Sequence, residues 1–167
     1  MVQVQYKNTF ADVLWLSAYT YSHSPVTLGV YSILLGFACF SVYTSVPDST
    51  PLTARILTTA VIVAVFFAFV LLGTAGLVVL SLISKANRTI LTQHTITLAE
   101  TGLIEETEFN RTEQKWNGIP RLVRTRRHIF AYVAQHAAHV IPRRAFSDAD
   151  SWDSFYKELQ TRVQPSA

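Results

Sequence analysis

The sequence predicts a membrane α+β protein: a two-helix transmembrane hairpin, then a small antiparallel β domain closed by a C-terminal amphipathic helix. Three observations predict it. Residues 26–46, VTLGVYSILLGFACFSVYTSV, and 56–83, ILTTAVIVAVFFAFVLLGTAGLVVLSLI, contain no Asp, Glu, Lys, Arg or His. Each is long enough to cross a bilayer core, which takes ~20 apolar residues for ~30 Å. From residue 89 onward the pattern becomes short alternating strands, and the tail then takes up a helical period. Only 15% of the 167 residues are charged, against ~25% in ordinary globular chains, and the shortage is confined to the two apolar stretches.

Taken in order, Val2, Val4 and Tyr6 alternate with Gln3, Gln5 and Lys7, the period of a strand with one apolar face. Thr9 precedes FADVLWLSAYTY with Asp12 three residues on, a helix N-cap followed by a first-turn carboxylate. Trp15, Tyr19 and Tyr21 are amphipathic rings that favour the headgroup layer, so residues 10–22 read as a helix along the membrane surface, with packing on the soluble domain as the alternative. The first apolar run starts too far from Met1, and is too long, for a cleaved signal peptide. The second, at ~1.5 Å per residue, is long enough to tilt. Cys39 lies inside the first span and has no cysteine to pair with.

The connection PDSTPLTAR is short and forces an antiparallel hairpin. Lys7, Lys85 and Arg88 flank its open end and Arg55 its closed end. The excess of basic residues at the open end places both termini in the cytoplasm of an integral, multi-pass inner-membrane protein. Ala60, Ala64, Ala68 and Gly76 recur on one face of the second span, and Gly29, Ser32 and Gly36 on the first. Small side chains permit close helix approach. Their simplest use is packing the two spans together; a homodimer seam is the sharper one. Neither span holds a charge that would mark an ion path. The chain thus divides into 1–25, the hairpin 26–83, and a cytoplasmic domain 84–167.

In that last part, 89–98, 103–109, 111–116, 121–126, 129–134 and 139–142 read as strands. Turns are expected at Gly102, Asn110, Asn117-Gly118, Arg127-His128 and 135–138. Ser147 starts a helix with Asp148 and Asp150 in its first turn, where carboxylates suit the dipole. Trp152, Phe155, Tyr156, Leu159 and Val163 form its apolar stripe. Trp116 is expected to lie against this helix, beside Phe155 or Leu159.

The stretch from Ile96 to Leu159 resembles the YcxB-like C-terminal domain of bacterial membrane proteins. The resemblance is carried by Ile96–Glu106 with Gly102, Lys115-Trp116, the run Ile129–Val133, and Ile141-Pro142-Arg143-Arg144-Ala145-Phe146 ahead of an acidic helix start. The Val4–Tyr6 strand, the Tyr21–Pro25 junction and the two spans extend it. The resemblance implies two spans and a cytoplasmic domain of pleckstrin-homology-like fold. It supplies no catalytic residues.

The residues themselves point to no catalytic, cofactor or metal site. There is no Gly-rich phosphate loop, no Gly-x-Ser-x-Gly and no Cys/His pair. Helix-start chemistry accounts for Asp148 and Asp150, and Asp153 falls on the polar side. His136 and His139, with His128 or His94, fall short of the four ligands of a structural zinc site, so solvated histidines are expected. Between 111 and 127, six basic side chains stand against Glu113 alone. Leu122, Arg124 and Arg126 alternate onto one strand face, with Arg127 and His128 at the turn. No exposed aromatic platform accompanies them, so nucleic acid is not expected. Arg121, Arg124, Arg126, Arg127, Arg143 and Arg144 are the candidate contacts for anionic lipid headgroups or a membrane-protein partner, with a solvated face as the plain alternative. The expected function is a membrane-anchored binding or regulatory module without cofactor. The alternatives are an accessory subunit of a transport or secretion complex, or a small membrane enzyme using His128, His136 or Asp148.

Overall fold

A computed structural model describes residues 2–83 and 90–163. The chain forms two compact units: residues 1–17 with 81–167, and residues 18–80. Lys85 and Arg88, on which the orientation rested, lie outside the described residues, as does the first residue of the strand expected at 89–98.

The second unit contains the apolar helices. α1 (Phe10–Ser22) runs across the division between units, followed by α2 (Pro25–Ser45) and α3 (Leu52–Ile83). Ser24 caps α2, its hydroxyl accepting from the Thr27 amide, and Pro25 takes the first turn, where a missing N–H costs nothing. α2 and α3 are long and apolar enough to cross a membrane, and almost none of that surface is buried within the chain. α3 begins before the expected residue 56, so Arg55 sits in its first turns. There it bonds Asp48 at 3.1 Å and the Tyr43 carbonyl at 3.1 Å. The small residues do not form the seam between the helices. Ala60, Ala64 and Ala68 are exposed, as are Gly29, Ser32 and Gly36, and a Cβ at Gly29, Gly36 or Gly76 would meet nothing within 4 Å. Larger side chains take the inner face: Val63 is buried and Phe67 meets the Tyr31 ring edge-on at 6.5 Å.

The first unit is an α+β domain of two antiparallel sheets. One has the order β1 (Val2–Lys7), β2 (Gln93–Leu98), β3 (Gly102–Glu106), β4 (Arg111–Lys115); the other β5 (Arg121–Arg124), β6 (His128–Ala134), β7 (Ala137–Pro142). The period-two pattern of residues 2–7 is thereby explained: Val4 pairs with Ile96 and Tyr6 with His94, and both are buried, while Gln3, Gln5 and Lys7 are exposed. Gly102 is required where β3 leaves its turn, because a Cβ there would overlap the Gln114 carbonyl of β4. Asn117-Gly118 lies in a 3-10 turn, Trp116–Gly118, rather than between two strand ends.

One core joins both sheets. Val4, Ile96, Leu98 and Leu103 meet Ile129, Ala131 and Ile141, and α4 (Ala149–Arg162) closes it with Trp152, Phe155 and Leu159. Each of the Val, Leu, Ile and Phe side chains contributes about 1.5–3 kcal/mol on burial. Asp148 is the N-cap itself, accepting from the Ser151 amide at 2.7 Å, which with Ser147 holds its carboxyl below the usual range. Phe146 packs edge-on against Trp152 and Phe155. Trp116 packs at the rim of this core and donates from its indole to the Glu100 carbonyl at 3.1 Å.

Candidate functional site

The arginines are set by the β5–β6 connection, which differs from the alternation expected of it. β5 ends at Arg124, so Arg126 is not on a strand face. Thr125 builds the turn: its amide donates to the His128 carbonyl at 2.8 Å, and its hydroxyl accepts from the amides of Arg127 and His128. A hydroxyl that takes two backbone amides competes with strand pairing. The turn is therefore Thr125–Arg127, with Arg126 and Arg127 at its tip, and His128 belongs to the buried strand β6.

Three of the six candidate arginines are committed inside the domain. Arg121 lies 3.7 Å over the Tyr132 ring. Arg124 bonds Asp153 of α4 and spreads over Trp152 and Tyr156. Arg144 grips Asp12 with two bonds of 2.7 and 2.6 Å and also donates to the Lys7 carbonyl. Arg126, Arg127 and Arg143 are exposed and make no ion pair with the described residues. The six are thus not one patch.

Two carboxylate clusters, the first buried and the second half-buried, have no signature of their own in the sequence. In the first, Asp12, 2% exposed, receives His128 Nε2 at 2.8 Å, both terminal nitrogens of Arg144, and the amide and hydroxyl of Thr9 at 2.7 Å. Burial is the largest single influence and pushes its carboxyl up, but the bonds from Arg144, Thr9 and His128 outweigh it and hold the group well below the ordinary range. In the second, Glu105 receives Nδ1 of His94 at 2.8 Å and Nδ1 of His139 at 2.9 Å. Burial again pushes upward, and the two imidazoles pull the carboxyl down to about 2. Tyr6 stacks on His94, and burial together with the charges of Glu105 and Asp12 drives its hydroxyl well above the usual phenol range. The strand period carried a usable signal: His94 is in phase with Ile96 and Leu98, His128 with Phe130 and Tyr132, His139 with Ile141. His136 is exposed in the β6–β7 turn, while His94, His128 and His139 are buried against carboxylates rather than solvated. Among the described residues no three His, Cys, Asp or Glu side chains are placed to hold a metal ion.

Residues 98–159 match the model of the YcxB-like protein family. This part of the chain is similar to a YcxB-like domain. No curated protein and no solved structure matches the chain. All six candidate arginines fall within the YcxB-like domain, as do Glu105, His128 and His139. Asp12, His94 and Tyr6 do not, yet they complete both clusters. The fold around the YcxB-like domain thus borrows β1, β2 and the start of α1.

An open cleft of about 510 Å³ lies at one end of the first sheet, lined by Lys7, Leu91, Thr92, Gln93, Glu108 and Phe109. His128, His136 and Asp148 do not line it.

Proposed function

We propose that the protein is a membrane-anchored binding or regulatory module. α2 and α3 cross the bacterial inner membrane, and the YcxB-like domain works at the cytoplasmic surface. The observation that carries this is the pairing of β1 with β2: strands on either side of the apolar helices share one sheet. Two crossings return the chain to the side it left, which is what that pairing needs; a single crossing would separate the strands. The four-plus-three strand order with a closing C-terminal helix supports a pleckstrin-homology-like fold. The bonds of Asp12 to His128 and of Glu105 to His94 and His139 serve this reading as architecture, since they tie separate elements of the domain together.

Two measurements test it. The full chain should stay with membranes through alkaline carbonate extraction, and the Glu108→Cys variant, made in a Cys39→Ala background, should react with a membrane-impermeant thiol reagent only from the cytoplasmic side. Release by carbonate, or labelling from outside, would remove the proposal. Pull-down of the full chain in mild detergent then separates a module acting alone from a subunit of a larger assembly.

A further inference from the structure

We infer that Arg126, Arg127 and Arg143 form a headgroup site for anionic phospholipid. The inference rests on the proposed membrane location and assigns a ligand class to it.

Six of the nine described arginines have an internal use. Arg55, Arg111, Arg124, Arg144 and Arg162 each face a carboxylate, and Arg121 lies over an aromatic ring. The three without such a use sit together. The β6–β7 ladder ends at the pair His128 and Pro142. The next positions outward are Arg127 and Arg143, joined by a 2.7 Å bond from the Arg143 amide to the Arg127 carbonyl. Arg126 precedes them in the turn that Thr125 fixes. Arg127 and Arg143 lie just beyond that ladder on hydrogen-bonded neighbours, where two like charges repel, and neither forms an ion pair with a carboxylate among the described residues. An anion received between them removes the repulsion. Guanidinium groups bond phosphate oxygens in pairs, which ammonium groups do not. The turn is prearranged, so little ordering is lost on docking.

A phosphodiester headgroup suits this site on three grounds. It is anionic, it presents paired oxygens, and the bilayer that holds the chain supplies it at high local concentration. Each basic residue at an anionic leaflet favours docking about fivefold, so the three together favour it about a hundredfold.

The test uses the full chain in nanodiscs, of phosphatidylcholine alone or with phosphatidylglycerol, and reads hydrogen exchange at the amides of 125–128 and 142–145. The expected result is protection in the anionic discs only, lost at high ionic strength. The variant R126Q/R127Q/R143Q should lower the docked-to-free ratio about a hundredfold, and R121Q should leave it in place. Equal protection in neutral discs overturns the inference. So does undiminished docking of the triple variant, or equal protection by inorganic phosphate in neutral discs. The salt response of the unaltered chain decides the matter should the triple variant misfold, which its unfolding midpoint reports. A chain that resists carbonate extraction yet shows no lipid-dependent protection loses this site and keeps its anchored location.

Discussion

Glu105→Gln tests whether the second carboxylate cluster holds the two sheets together. Glu105 stands on β3 and His139 on β7, so their 2.9 Å bond joins one sheet to the other, while His94 grips the same carboxylate from β2. The Glu105 carboxyl ionises at about 2 instead of 4.5, and each unit of difference corresponds to ~1.4 kcal/mol. The ionised carboxylate therefore stabilises the domain by roughly 3 kcal/mol at neutral pH. The sign follows from the lowered value: the contribution is full above 4.5 and is lost as pH falls toward 2. Glutamine keeps the shape but not the charge, and since the two imidazoles bond different carboxylate oxygens, one of them would meet an NH2 donor instead of an acceptor. Denaturant unfolding of the full chain in detergent, followed by tryptophan fluorescence, should show E105Q about 2–3 kcal/mol less stable at pH 7. The gap should narrow steadily below pH 4.5. A gap that stays constant from pH 7 to pH 3, or a variant as stable as the parent at pH 7, would refute the reasoning.

Asp12→Asn should cost about 1.5–3 kcal/mol, because it removes the charge that His128 and Arg144 bond. Hydrogen exchange should quicken at the start of α1 and in β6 together, and His128→Gln should add little in the Asp12→Asn background. Gly102→Ala should cost about 1–3 kcal/mol by driving β4 away from β3, seen as a lower unfolding midpoint with lost protection at 111–115. Arg124→Ala should cost about 1 kcal/mol through lost packing on Trp152 and Tyr156, while Arg126→Ala should leave the unfolding midpoint unchanged. If the two behave alike, the division between committed and free arginines is wrong.

Elements whose pattern is local were legible in the sequence. The apolar runs gave α2 and α3, and the stripe of Trp152, Phe155 and Leu159 gave α4. Alternation placed β6 and β7 within a residue or two. Pairings that join distant parts of the chain were not legible. Asp12 had a complete local explanation as a first-turn carboxylate and does bond Thr9, which concealed its longer reach to His128 and Arg144. His128 was placed at a turn because a run of basic residues resembles a solvated tip; Thr125 moved that tip back, and strand parity then carried the imidazole inward. The arginines looked equivalent as letters. Only tertiary neighbours such as Tyr132, Asp153 and Asp12 separate those spent on the fold from the three left over.

The placement of β1 governs how the protein can be made and how it can be cut. Val2–Lys7 leaves the ribosome before its partner Gln93–Leu98, which appears only after both apolar helices have been synthesised. Until then β1 has no sheet to join, so the domain completes itself only once the hairpin has found its place. A fragment starting after the hairpin would retain the whole YcxB-like match and still lack a strand. Ile96 and Leu98 would lose the cover of Val4 and Tyr6, and β2 would present a bare edge of the kind that recruits other chains. Such a fragment should aggregate, or recover when the peptide MVQVQYKNTFAD is supplied in trans.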